Sequence, residues 1–214
     1  MNKLAITIWN YKGGVGKTTI SLVLAEIAAQ RGLKVLALDL DDQQNLSDML
    51  RLSAKIYPQI EIRQKLNYEY ADEDFDVFIL DTHPSKGDTV MNALKFADIV
   101  LIPVLGDYQS FINLRSVIEY VQAAGLGAGQ VALVKNCMTD LQISREVESA
   151  LDEAGYNIAG RLPRNNILVR NIATGEKWDK GMREVQRVPF EELYANIMRA
   201  YQGMLAGEFH QVWR

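Results

Sequence analysis

An apolar run, Leu4 to Trp9, leads into Asn10-Tyr11-Lys12-Gly13-Gly14-Val15-Gly16-Lys17-Thr18-Thr19. Apolar residues then recur at Ile20, Val23, Leu24, Ile27 and Ala28, the spacing of one helical face. A strand, a glycine-rich turn and a helix, in that order, is the setting in which a loop wraps phosphate. The glycines let backbone N–H groups close round phosphate oxygens. Lys17 adds a point charge, and the Thr18 hydroxyl is placed to hold Mg²⁺. Gly13, Gly14, Val15, Gly16, Lys17, Thr18 and Thr19 are therefore the candidate phosphate contacts. The ordinary pattern, G-x-x-x-x-G-K-[ST], is not met, because Tyr11 stands where its first glycine belongs. Lys12 has no part in such a cradle and needs a second explanation.

Four more apolar runs are continuous rather than alternating: Val35–Leu38, Val77–Leu80, Ile99–Ile102 and Val131–Val134. Strands covered on both faces read this way. Helices are expected over Thr89–Phe96, Phe111–Ala123 and Ser144–Ala154, with Gly32 closing the first helix and Gly125, Gly127 and Gly129 turning the chain into the Val131 strand. A shorter run follows at Tyr156–Ala159, while Arg51 to Asp74 reads as short and irregular. The alternation predicts an α/β fold, a doubly wound and mostly parallel sheet with helices on both faces, as one domain over 1–214.

The chain has 214 residues, 48% of them hydrophobic, and a net charge of −4. That suits a sizeable core, and it means that any nucleic-acid contact must come from a local patch. One cysteine, Cys137, leaves no internal disulfide and no C-x-x-C. The apolar start is too short for a signal peptide, and the run near Ile99–Leu105 is broken by Pro103. A cytosolic protein is expected.

Ligands of open α/β sheets sit beyond the carboxyl ends of the strands. The Val35 run ends in Asp39-Leu40-Asp41-Asp42-Gln43-Gln44-Asn45, and the Val77 run in Asp81-Thr82-His83-Pro84. Acids at such tips can support a metal and position an attacking water. Asn136 follows the Val131 strand, and an amide can meet a base edge with donor and acceptor together.

The residues KGGVGKTT resemble the deviant Walker A motif of the ParA/MinD ATPase superfamily, and the resemblance covers nearly the whole chain. It implies a P-loop NTPase fold and a single ATPase domain that binds Mg-ATP. It further implies that Lys12 reaches across an ATP-bound homodimer to the partner's phosphates, with Lys12, Lys17 and Asp41 as catalytic residues. Asp41 would position the water, Asp39 would support the Mg²⁺ shell with Thr18, and Asp81 would be the Walker B carboxylate. Asn136 and the Pro163 region would embrace adenine. Asp42, in the segment resembling the family's switch I, and His83 and Lys86, after the Walker B carboxylate, depart from the family pattern. His83 is read as a non-ligand. The single cysteine sets aside the iron–sulfur relatives.

Between Arg161 and Arg187 there are seven basic residues against three acids, a local +4 in a chain whose remainder carries −8. The family's partition members bind DNA without sequence preference through C-terminal basic residues and as ATP dimers. Arg170, Lys177, Lys180, Arg183 and Arg187 are the candidates here, with Arg164 open to a nucleotide or dimer role. A ParB-like adaptor that stimulates hydrolysis, and a nucleoid-associated place in the cytoplasm, are implied in turn. The first strand starts at about Lys3, as expected of the small form without an N-terminal helix-turn-helix. Two rival readings stay open. A MinD-like membrane switch would use a cationic amphipathic tail, whereas the last helix here exposes Glu191, Glu192, Asn196, Arg199 and Gln202, and its apolar face suits docking on the core. The tail from Phe209 to Arg214, with Trp213, could touch a partner or lipid. A ligase of the cobyrinate-amidase type would need a substrate pocket that the sequence does not signal.

Overall fold

The computed structural model describes residues 3–208 and 213. Seven parallel strands form one sheet in the order β3-β2-β4-β1-β5-β6-β7. They are β1 (Leu4–Ile8), β2 (Val35–Leu40), β3 (Ile60–Arg63), β4 (Val77–Thr82), β5 (Ile99–Val104), β6 (Val131–Asn136) and β7 (Ile158–Leu162). Among the described residues, seven α-helices connect or cover them: α1 (Lys17–Gln30), α2 (Asn45–Ser53), α3 (Asp88–Phe96), α4 (Tyr108–Gln122), α5 (Gln142–Glu153), α6 (Asn166–Thr174) and α7 (Glu184–Leu205).

The continuous apolar runs are explained by burial on both faces. Ile6, Ile8, Val35, Ala37, Ile79 and Val134 face one core with α1, α2 and α7. Val100, Ile102, Val104 and Leu133 face a second core with α3, α4 and α5. Leu36, Leu38, Phe78 and Leu80 fill a third cluster beside it. The helical stripe Ile20, Val23, Leu24, Ile27 and Ala28 is wholly buried, and Gly32 closes α1 with φ 79°.

The segment read as irregular contains the end of α2, the edge strand β3 and a 3₁₀ turn at Tyr68–Asp72. β3 is four residues long and lies at the sheet edge, mostly half-buried, which is why its sequence lacks a buried strand's run. α2 has no side-chain cap at its own N-terminus. The Asp39 carboxylate supplies one from β2, accepting the Ser47 N–H at 2.7 Å. Asn165 caps α6 through the Ile167 and Leu168 N–H groups, and Gly175 ends it at φ 64°.

α7 places Phe190, Leu193, Tyr194, Ile197 and Tyr201 in the core. Tyr201 also donates from its hydroxyl to the Lys3 carbonyl. The apolar face of α7 is thus consumed inside the protein. Of the tail from Phe209 to Arg214, only Trp213 is among the described residues; its indole N–H donates to the Gly129 carbonyl at 2.7 Å. No described helix is long and apolar enough to cross a membrane.

Candidate functional site

β1 lies at the point where the chain, having built β2, β3 and β4 to one side, turns to build β5, β6 and β7 on the other. Its carboxyl end is the crevice in which open α/β sheets bind ligands. Residues 9–16 span it and deliver the chain into α1. Asn10 pins the loop: its Nδ2 donates to the Pro103 carbonyl at 2.9 Å, and its Oδ1 accepts the Lys12 N–H at 3.0 Å. Gly14 and Gly16 adopt φ 74° and 93°, values that suit glycine. A Cβ on Gly16 would also stand 2.3 Å from Asn136 Nδ2. That nitrogen donates to the Val15 carbonyl at 2.8 Å. Asn136 is therefore a clamp on the glycine-rich loop; the second N–H of its amide stays available, beside an Oδ1 that accepts the Cys137 thiol at 3.6 Å. Pro163, half-buried, follows β7 one strand away.

The first turn of α1 has neither a side-chain cap nor an acidic residue. Its leading N–H groups and the positive end of its dipole are left to whatever binds the loop. Lys17 is buried at 7% exposure. Burial pulls its pKa down, against the opposing charges of Asp81 and Asp41.

β2 and β4 bring Asp39 and Asp81 into register side by side. Asp81 is 1% exposed, and one of its oxygens accepts the Ser21 hydroxyl at 3.1 Å. The other oxygen is buried without a hydrogen-bond partner. Burial pushes the Asp81 carboxyl up to about 7, opposed by the hydroxyls of Thr18 and Ser21. An orphaned carboxylate oxygen close to a threonine hydroxyl, under an open helix end, fits a hard cation that keeps most of its waters. No group of three or more His, Cys, Asp or Glu residues forms a metal cage among the described residues, and His83 belongs to none.

Asp39 turns both oxygens to backbone N–H groups, those of Asp41 at 3.4 Å and Ser47 at 2.7 Å. Its visible work is to shape the turn from Asp41 to Ser47. Asp41, half-buried, accepts the Gln43 N–H at 3.0 Å. Gln44 follows in the left-handed region at φ 54°, and Gln64 Nε2 bonds its side chain at 2.7 Å. Asp42 is thus bracketed by side-chain ties on both sides.

Lys12 does not extend outward. Its ammonium lies 2.8 and 2.9 Å from the two Asp107 oxygens and 2.9 Å from the Ser110 hydroxyl. The departures Tyr11 and Lys86 also find partners. The Lys86 ammonium lies 5.6 Å from the Tyr11 ring centroid and 5.3 Å from that of Tyr120. Tyr120 Oη accepts the Gly87 N–H at 3.0 Å, and buried Trp9 donates to the Ser85 carbonyl at 3.1 Å. Three aromatic residues grip three successive residues of the segment after Asp81. Sequence reasoning had no access to this clasp, nor to Asp107, because the contacts join distant parts of the chain.

The basic segment wraps the end of α1. Trp178 is fully buried, donating its backbone N–H to Glu26 at 3.1 Å and its indole N–H to Gln30 at 3.2 Å. Around that anchor Arg170, Lys177, Lys180 and Arg183 are exposed, and Arg187 is half-buried. Lys180 pairs with Glu176 at 2.6 Å and Arg187 pairs with Glu191. Arg170, Lys177 and Arg183 have no acidic partner among the described residues.

A family description, the CobQ/CobB/MinD/ParA nucleotide binding domain, matches residues 6–178. The chain belongs to that family. Within it, the relatives are of ParA type. The Soj sporulation initiation inhibitor of Bacillus subtilis is 27% identical over 192 residues, covering 69% of this chain and 72% of that protein. The chromosome-partitioning ATPase Soj of Thermus thermophilus is 29% identical over 155 residues, covering 55% of this chain and 62% of that one. A plasmid partition protein of Borrelia burgdorferi solved with AMPPNP superposes at a TM-score of 0.73 and 19% identity, over 94% of this chain and 99% of that one. MinD of Pyrococcus horikoshii with Mg-ADP gives a TM-score of 0.72 at 16% identity, over 98% and 99%. The structural likenesses establish the ParA/MinD P-loop fold, and the matched sequence family is one of nucleotide-binding ATPases.

Proposed function

We propose that residues 1–214 act as one ParA-type ATPase unit, which binds Mg-ATP, pairs with a second copy of itself and holds DNA nonspecifically until hydrolysis releases it. The observation that carries this reading is Lys12. The loop N–H groups, the open end of α1 and Lys17 already supply what one nucleotide needs, so a further lysine on the same loop serves phosphates other than the protomer's own.

The backbone of Gly13 to Gly16 with Lys17, Thr18 and Thr19 would hold the phosphates. Thr18 and the free oxygen of Asp81 would hold Mg²⁺, with Asp39 behind them. The ion when bound neutralises phosphate charge. Asp41, on the turn after β2 and near enough to Lys17 for its charge to be felt there, would orient the attacking water. Asn136 keeps the loop closed, and with Pro163 it borders the place for adenine.

Arg170, Lys177 and Arg183, with Lys180 and Arg187, form the DNA face. Two such faces joined by ATP bind together what one holds weakly, a gain from multivalency. A ParB-like adaptor would stimulate release, and the protein would work in the cytoplasm on the nucleoid. The core-bound apolar face of α7 supports DNA over a membrane as the surface read.

Light scattering with ATP tests the dimer. Asp41→Ala is expected to accumulate the dimer with ATP unhydrolysed, and Lys12→Ala to stay monomeric while still binding nucleotide. A Lys12→Ala protein that dimerises like wild type overturns the reading.

A further inference from the structure

The chain between β4 and α3 hangs from side chains of two distant parts of the molecule. Buried Trp9 donates its indole N–H to the Ser85 carbonyl at 3.1 Å. The Tyr120 hydroxyl, on α4, accepts the Gly87 N–H at 3.0 Å and donates to the Gly87 carbonyl at 3.3 Å. The Trp9 and Tyr120 rings meet at 4.9 Å, tilted by 34°. Lys86 lies between these two anchors. Its ammonium faces the rings of Tyr11, at 5.6 Å, and Tyr120, at 5.3 Å, and it has no acidic partner among the described residues. Trp9 and Tyr11 flank Asn10, which pins the glycine-rich loop to the Pro103 carbonyl. Trp9 is fixed in the core at the root of that loop. Lys86 is what ties the segment to a half-buried side chain further along it. The same segment supplies His83, Ser85 and Gly87 to one wall of a cavity of about 650 Å³, which Asp41 also lines.

We propose that Lys86 is a positioning residue: seated between the rings of Tyr11 and Tyr120, it makes residues 85–88, and with them the wall of the cavity beside Asp41, follow the occupancy of the glycine-rich loop. This rests on the reading that the loop takes up nucleotide. A loop closed round phosphates holds the Tyr11 ring in one place, and Lys86 then has both faces to bind. An empty loop lets the ring move, and Lys86 keeps only Tyr120. Water reaches the ammonium throughout, so the contact forms and breaks without leaving a charge buried. A cation over a ring at an exposed site is worth about a two- to fivefold bias, and both distances here are near the outer limit of such contacts. The pair of rings should therefore bias the segment by about three- to tenfold.

Hydrogen exchange of the full chain, with and without Mg-ADP, reads the loop and residues 85–88 separately. In the wild type, ADP should slow exchange at both. Lys86→Met keeps the apolar stem and removes the cation. It should keep the protection of the loop and lose about three- to tenfold of the ADP-induced protection at 85–88. Lys86→Arg keeps a cation for the two rings and should restore it. Tyr11→Leu should match Lys86→Met, and the double variant should do no more than either alone. A purely structural role for Lys86 predicts faster exchange at 85–88 by the same factor with and without ADP, and that result overturns the proposal. So does ADP protection at 85–88 that is absent from the wild type or unchanged in Lys86→Met, while the loop itself is protected. If ADP protects not even the loop, the nucleotide reading falls and the proposal with it.

Discussion

Replacing Glu26 by glutamine should make the protein more stable in weak base and leave it little changed in weak acid. Glu26 lies in the middle of α1 at 1% exposure. It accepts the Trp178 N–H at 3.1 Å, with the Ser53 and Tyr57 hydroxyls beside it and Asp179 as the like charge nearby. Burial raises its carboxyl from 4.5 to about 7, against the pull of those polar neighbours. The folded state therefore binds the proton more tightly than the unfolded chain does. That contribution is whole below about pH 4.5 and is lost as pH rises through 7. At about 1.4 kcal/mol per unit, the span amounts to on the order of 3 kcal/mol. Glutamine keeps an acceptor for Trp178 and does not titrate. Thermal and urea denaturation of both proteins from pH 4.5 to 8.5 should diverge progressively and level off near pH 8. The plateau should correspond to a melting difference of roughly 6–12 °C for a chain of this size. Because Trp178 anchors the loop that carries Lys177 and Lys180, the same titration should loosen that basic segment first. A stability difference constant across that range refutes the argument, since it means that Glu26 titrates alike in folded and unfolded chains.

Gly16→Ala puts a side chain at φ 93° and against Asn136; nucleotide affinity, read with a fluorescent ADP, should fall more than about tenfold while circular dichroism stays native. Tyr120→Phe removes the hydroxyl that bonds both the Gly87 N–H and its carbonyl; it should lower stability by about 1–2 kcal/mol and speed hydrogen exchange at 85–88 ahead of the rest of the sheet.

What the sequence disclosed followed the range of the contacts involved. β1, β2, β4, β5 and β6 were legible because strands buried on both faces must be apolar throughout, and the glycine-rich turn into α1 because its residues are consecutive. α2 was hidden because its cap comes from Asp39 on another strand. β3 was hidden because Ile60-Glu61-Ile62-Arg63 pairs on only one side. α6 is marked in the sequence by Asn165 at its start and Gly175 at its end, in a stretch whose basic charge is its more prominent signal. Lys12 stood out as a lysine beyond the ordinary loop pattern, but its grip on Asp107, 95 residues away, left no local sign. Asn136 was expected beside the base, and its bond to Val15 spans 121 residues that no local pattern joins. Tyr11 and Lys86 read separately as departures; only the fold shows that they meet.

DNA binding measured with ATP, with ADP and without nucleotide, each over a range of salt and repeated with anionic vesicles, bears most directly on the account. Arg170, Lys177 and Arg183 of two protomers should give binding only with ATP, steeply weakened by salt, and lost in Lys12→Ala. Binding that ignores the nucleotide, or ATP-dependent binding to vesicles and not to DNA, contradicts it.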